Sequence, residues 1–316
     1  MLAYEKLLKY TREEQLTNNR LTSRKKQIKI LCILNPKSGI SKHKSIPKLL
    51  KKTFRTQDYF LHIEHTKYAG HAYEIAQSAR DIYNCIIAVG GDGTVHEIGQ
   101  ALIYSKTALG IIPVGSGNGF ARSLHIPLSP HAAINHIKNM LVKEIDTVSC
   151  NGEHVINIAG FGFEAEVSNV FANTKIRGGY SYVPFIIKKL FKQKTFAQFT
   201  CVYNNITETH TVFLASIANA NQWGLNAYIA PKAHLDDGFF EFVIVKPFPL
   251  HKSLSMTYKL FNKTIQTSAY CSTIRLKDVT IIPHNTSILY HIDGEPREAT
   301  CSLHFKAHHK ALKVIV

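Results

Sequence analysis

Long hydrophobic runs are missing from this 316-residue sequence. None approaches the ~18 apolar residues a helix needs to cross a bilayer, which excludes a helical membrane span. The N-terminus, MLAYEKLLKYTREEQ, lacks the apolar stretch of a signal peptide, so an intracellular, cytoplasmic protein is expected. Cysteine pairing motifs are missing too. Cys32, Cys85, Cys150, Cys201, Cys271 and Cys301 are scattered without a CxxC, and several fall in apolar strand-like runs. Buried thiols in a reducing compartment fit that pattern better than disulfides or zinc. The histidines, 17 in number, show no HExxH spacing. Acidic residues are the scarce charge, 22 against 38 Lys plus Arg, for a net charge of +16. Such a field draws anionic partners, whether nucleotides, nucleic acid or acidic lipid headgroups, without choosing among them. The aromatic-basic signatures of nucleic-acid binders are absent, so no nucleic acid is expected.

What is present centres on Cys85–Leu102, CIIAVGGDGTVHEIGQAL. Cys85–Val89 reads as a buried strand, being short and rich in Ile and Val. Gly90–Thr94 (GGDGT) follows, and then Val95, Ile98 and Leu102 recur at helical spacing. A strand, a glycine turn and a helix start together form a site where backbone N–H groups meet a polyanion. Asp92 stands inside that loop. A carboxylate there repels phosphate unless a metal mediates or it takes a proton from an attacking hydroxyl, which suggests nucleotide-dependent phosphoryl transfer. Thr94 followed by Glu97 also fits a capping box, a purely structural use of both residues.

Taken in order, residues 1–26 form a basic extension, and Ile28–Leu34, Tyr59–His65, Cys85–Val89 and Ala108–Pro113 read as strands alternating with helices. That alternation predicts a parallel α/β domain over 27–146. After Asp146 the pattern changes to strands with period two, including Thr211–Ile217, Phe239–Val245, Thr273–Ile282 and Thr300–His308. Helical stretches at Tyr180–Lys192 and Leu250–Thr264 interrupt them. A mostly antiparallel domain over 147–316 is expected.

Six motifs in sequence order then resemble the catalytic domain of the lipid kinases that phosphorylate diacylglycerol, sphingosine or ceramide. They are Asn35-Pro-Lys-Ser38-Gly, Thr66 with Gly70-His-Ala72, GGDGT with Glu97, Pro113-Val-Gly115-Ser116-Gly-Asn118-Gly-Phe-Ala-Arg122, the stretch from Pro231 to Gly238, and Asp293-Gly-Glu295-Pro296. The resemblance covers about Gln27 to Val316. It implies a nucleotide-binding α/β domain, a β-sandwich domain and a cleft between them. ATP phosphates would lie on Asn35, Ser38, Gly91, Asp92, Gly93, Thr94, Glu97, Gly115 and Asn118, with Thr66 and Ser116 bonding phosphate or adenosine.

Glu295 resembles the family's general base on the lipid hydroxyl, and Asp92 is the alternative for that role or organises Mg²⁺. The resemblance also implies that Asp237 holds a structural magnesium with the carbonyls of His234 and Phe239, as a similar loop does in bacterial family members, and a hard-oxygen set suits the ion. The bland alternatives are an Asp-Gly hairpin turn at Asp293 and an Asp-Asp-Gly turn at Asp237. Two residues depart from the commonest pattern: His96, where many members carry Asn, and Glu164, where Asp is frequent.

Diacylglycerol is the first acceptor implied and a sphingoid base the second. NAD kinase shares GGDGT, but the sequence lacks the Asn-Glu-Asp triplet that resemblance would require. A non-catalytic basic lipid-binding module is the third reading, opposed by the presence of Asp92, Glu295 and both glycine loops. The partners expected are ATP and a lipid met peripherally at a membrane surface, with a homodimer left open. Leu250–Thr264 and Tyr182–Phe196, where lysines stand among apolar side chains, are the segments expected to touch that surface.

Overall fold

The computed structural model describes residues 27–39, 45–173 and 196–316; the extension 1–26 and the segment Tyr182–Phe196, apart from its last residue, lie outside them. Short runs of branched apolar residues build the first half. β1 (Ile28–Leu34), β2 (Tyr59–His65), β3 (Cys85–Gly90) and β4 (Ala108–Pro113) pair in parallel in the order β2-β1-β3-β4. Every residue of β3 and β4 is buried, as strands covered on both faces must be. The layers beside them are α1 (Ile46–Thr53), α2 (His71–Ala79), α3 (Asp92–Leu102), α4 (Gly119–Ser123) and α5 (Pro130–Lys138). Ala72, Ala76 and Ala79 turn inward from α2, which packs against α3.

The second half contains β5 (Val142–Cys150), β6 (Glu153–Val155), β7 (Ile158–Gly162), α6 (Phe163–Asn173), β8 (Ala197–Tyr203), β9 (Ile206–Val212), β10 (Leu214–Ala218) and β11 (Phe240–Val245). It ends with α7 (Ser253–Phe261), β12 (Cys271–Leu276), β13 (Asp278–Pro283), β14 (Ile288–Ile292), β15 (Glu295–Ala299) and β16 (Leu303–Ile315). One sheet runs β12-β11-β10-β7-β14-β15, all antiparallel. It packs on β16, β13, β8 and β9 across a core that includes Phe161, Phe199, Phe242 and Phe305. This is the expected architecture, an α/β half followed by an antiparallel β-sandwich.

Two apolar runs expected as single strands are each two. Thr211–Ile217 breaks at Phe213, and Thr273–Ile282 breaks at Lys277. In both places the chain leaves one sheet for the other. The apolar pattern stays continuous because both pieces face the same core: Val212, Ala215 and Ile217 in one case, Leu276, Val279 and Ile281 in the other. Leu250–Thr264 begins as a 3₁₀ turn, Leu250–Lys252, and its α-helix ends at Phe261.

β16 serves both halves. Leu303 and Phe305 enter the sandwich core, whereas Ala311, Leu312, Val314 and Ile315 enter the core of the parallel sheet, beside β4. A bulge between His308 and Leu312 separates the two parts. Buried Asp146 holds it, receiving His309 Nδ1 at 2.8 Å and Lys310 N–H at 2.7 Å on one oxygen and Gly238 N–H at 2.5 Å on the other.

Candidate active site

Three loops meet at the carboxyl ends of β1, β3 and β4, where ligands collect in open α/β sheets. Asn35 N–H donates to Val89 O and Val114 N–H to Gly90 O, each at 3.0 Å, which sets the loops side by side. Gly91 and Gly115 lie back to back. A Cβ on Gly115 would stand 2.5 Å from Gly91 Cα, so Gly115 accepts no side chain without parting the loops.

Most of the polar residues expected here shape the loops. Asn35 Nδ2 donates to Thr94 Oγ1 at 3.0 Å, and its Oδ1 accepts Lys37 N–H. Ser38 N–H donates to Asn35 O and closes that turn. Thr66 is buried, its N–H bonded to Leu34 O. Asn118, in the left-handed region at φ +49°, closes the second glycine loop through Nδ2 to Gly115 O at 2.8 Å, leaving Ser116 exposed at the tip. Glu97 spends both oxygens on α2, accepting Gly70 N–H at 2.9 Å and Ala72 N–H at 3.0 Å. The Thr94–Glu97 capping box therefore does not form; Thr94 lies inside α3, and Glu97 caps a neighbouring helix instead.

Asp92 is the first residue of α3, and Phe120 N–H at the start of α4 points to its Oδ1 at 3.4 Å. Burial pushes its carboxyl up to about 6, against the pull of backbone N–H groups of Phe120, Asn118 and Gly119, with Asp293 adding to the rise. Glu295 opens β15 and is exposed. Its Oε1 lies 3.4 Å from where a Cβ on Gly93 would be, so the two carboxylates share one helix start although 203 positions separate their numbers in the chain.

The turn carrying Glu295 is fixed from two sides. Asp293 receives Asn157 and Ile158 N–H on Oδ1 and Ile156 N–H on Oδ2. His96 Nδ1 joins the same Oδ2 at 2.7 Å, and its Nε2 lies 3.5 Å from Glu153, which Arg297 also grips. Burial alone would lower the His96 pKa; bonds to Asp293 and Glu153 outweigh it and raise it to about 9. Behind the turn, buried Glu164 accepts Trp223 Nε1–H and His291 Nε2–H, each at 3.1 Å, and the Ser216 hydroxyl. Burial raises the Glu164 pKa, and the bonds to His291, Ser216 and Trp223 oppose the rise. His291 Nδ1 in turn accepts Gly294 N–H at 3.2 Å. Glu164 thus faces inward and supports the turn.

At the residues expected to hold magnesium, the Asp237 carboxylate has partners within the protein. Asp237 Oδ2 is paired with Arg275 at 2.6 Å, and Oδ1 accepts Phe239 N–H at 3.0 Å. The Arg275 guanidinium also stacks 4.2 Å from the centre of the Phe239 ring. The Arg275 guanidinium thus stands at the carboxylate oxygen a divalent ion would compete for. Among the described residues the one group of three Cys, His and carboxylate side chains whose ligand atoms lie close enough together to hold a metal ion is Cys201, Glu208 and His210, at the far sheet edge; burial, with Glu208, pushes that thiol up to about 11.

Residues 29–150 match the diacylglycerol kinase catalytic domain, and residues 157–316 match the YegS C-terminal NAD kinase beta sandwich-like domain. The chain belongs to the diacylglycerol kinase family of lipid kinases. It is 29% identical over 225 residues to a Chromohalobacter salexigens protein named "Probable lipid kinase YegS-like", covering 68% of this chain and 70% of that one. A Yersinia pestis protein of the same name is 27% identical over 253 residues, covering 78% and 83%. The structure superposes on a diacylglycerol kinase from Bacillus anthracis str. Sterne with a TM-score of 0.70 at 22% identity, covering 92% and 97% of the two chains. As a lipid kinase it takes ATP and a lipid as its substrates.

Sequence reasoning missed Ser216, Trp223, His291, Glu153 and Arg297. A signal was there for two of them. Ser216 interrupts the apolar strand LASIA, and His291 interrupts ILYHI; a polar residue in a buried run needs a partner.

Proposed function

We propose that this kinase phosphorylates diacylglycerol to phosphatidic acid, using ATP with Mg²⁺ and meeting its acceptor as a peripheral protein on a cytoplasmic membrane face. Residues 27–146 bind the donor, and 147–316 present the acceptor. The observation that carries the reading is the placement of Glu295 over Gly93, beside Asp92, where the glycine loops meet. An acceptor hydroxyl there loses its proton to Glu295 as its oxygen bonds to the γ-phosphorus and the bridging bond to ADP breaks. A divalent ion supplies charge neutralisation on the phosphates, and Asp92 is the carboxylate placed to hold it. The clamp through His96, Asp293 and Glu164 keeps Glu295 at that distance, so little reorganisation is left for the reaction. Diacylglycerol is taken first because the domain matched over residues 29–150 is described as that of a diacylglycerol kinase. Incubation with labelled ATP, Mg²⁺ and a panel of diacylglycerol, sphingosine, ceramide and NAD tests it. Labelled phosphatidic acid is expected; label confined to sphingosine phosphate or NADP would overturn the reading.

A further inference from the structure

Between Glu241 and Asp278 the sequence holds no acidic residue, while Lys246, Lys252, Lys259, Lys263, Arg275 and Lys277 all fall there. α7 lies in the middle of this stretch. Its inner face is ordinary core: Met256 is buried with Val245, Phe248 and Ile265. Its outer face is not. Leu254 is 77% exposed and Tyr258 66%, and Leu250 and Phe261 are each about half exposed. Spacings of four, four and three put these side chains on one stripe of the helix and the turn before it. Lysines border the stripe. Lys252 is exposed at its start, Lys259 donates to Thr267 Oγ1, and Lys263 lies 4.5 Å over the ring of Tyr228.

The stripe also adjoins the cleft. Tyr228 N–H donates to Leu260 O at 3.1 Å. In the same segment, Gly224 bridges to Asn118 of the second glycine loop, and Trp223 bonds Glu164. The segment 223–228 thus links α7 to the second glycine loop.

We propose that the outer face of α7 docks on an anionic membrane, with Leu250, Leu254, Tyr258 and Phe261 among the acyl chains and the lysines at the headgroups. An apolar stripe bordered by Lys252, Lys259 and Lys263 suits an interfacial helix, whose affinity sums apolar burial and attraction to acidic lipid. The charge argues against a second copy of the chain as occupant, since two such faces repel. This inference rests on the lipid-acceptor reading and names where the kinase meets the bilayer.

Sedimentation with vesicles of 30% phosphatidylglycerol in phosphatidylcholine, and with phosphatidylcholine alone, tests it without ATP or added acceptor. The wild type is expected to bind the anionic vesicles and to be released by 0.5 M salt. The double variant Leu254→Gln/Tyr258→Gln should bind at least tenfold more weakly, with an unchanged melting temperature because both side chains are exposed. Lys252→Gln/Lys263→Gln should also weaken binding. Equal binding by wild type and the Leu254/Tyr258 variant would overturn the proposal. So would a wild-type dimer in solution that the variant dissolves, which would make the stripe a contact between copies. Phosphorylation of short-chain, soluble diacylglycerol should be equal in wild type and variant. If no acceptor is labelled while stripe-dependent docking persists, the acceptor reading fails and the docking surface stands.

Discussion

His96 and Asp293 meet at 2.7 Å across 197 positions of sequence, one on the helix that begins with Asp92 and the other on the turn that carries Glu295. The pair is a buried link between the glycine loops and the sandwich. Asp293→Asn removes its charge and leaves the His96 cation short of a partner. A loss of about 3–5 kcal/mol is expected, read by urea unfolding. The double variant His96→Leu/Asp293→Asn should lose less than the sum of the two single changes. Additive losses would show that the contact is not a coupled pair.

The same pair sets a pH dependence. The folded pKa of His96 is raised to about 9 from an ordinary value of 6.5. A raised histidine contributes stability that is fully present below pH 6.5 and is lost as pH climbs through 9. The difference in melting temperature between wild type and His96→Leu should therefore shrink from pH 6.5 to pH 9.5. A difference that stays constant would mean the imidazole is neutral throughout.

Asp92 gives the opposite sign in activity. Its carboxyl is pushed up to about 6, and the role proposed for it needs it ionised. The kcat/KM for ATP should fall tenfold per pH unit below about 6 and level off above it. Asp92→Asn should abolish that limb together with most turnover. Glu295→Gln is expected to lower kcat by ~10²–10⁴-fold with the fold intact. Full activity of the Glu295 variant would remove it from proton transfer.

Gly115→Ala tests the loop contact. The methyl group would meet Gly91 Cα at 2.5 Å, so the loops must part. A destabilisation of about 1–3 kcal/mol and at least a tenfold rise in KM for ATP are expected. Steady-state kinetics and thermal unfolding on one preparation measure both.

Arg275 is expected to act as the resident cation of the loop at Asp237. Mg²⁺ without nucleotide should leave the wild-type melting temperature unchanged and raise that of Arg275→Gln, whose Asp237 is then available. The pair is half exposed on the arginine side, so the Arg275 change itself should cost about 1 kcal/mol or less. A magnesium response in the wild type that Asp237→Ala removes would restore the metal.

The sequence made the parallel strands and the glycine loops legible because each is a local pattern: a buried run, a turn, a helical period. Glu295 was legible for a different reason, the resemblance of DGEP to a family motif, since its turn alone reads as a hairpin. What stayed hidden was non-local. Glu97 looks like a cap for its own helix until α2 is seen beside it. His96 looks like a helix-surface residue until Asp293 arrives from the far end of the chain. Phe213 and Lys277 read as ordinary strand positions because a strand that changes sheets keeps the same apolar face. Asp237 matched a metal loop, and only β12 placed Arg275 across from it.

β16 joins the parallel strands to the sandwich strands in one continuous sheet, and this has a consequence for how the chain is made. Val314 lies opposite Leu109, so β4 keeps an open edge until the last strand has emerged. On the ribosome the parallel half would be nearly whole yet unfinished through the synthesis of the entire sandwich, with the unpaired N–H and C=O groups of β4 exposed to other chains. Folding of the glycine loops is thereby tied to completion of the sandwich half.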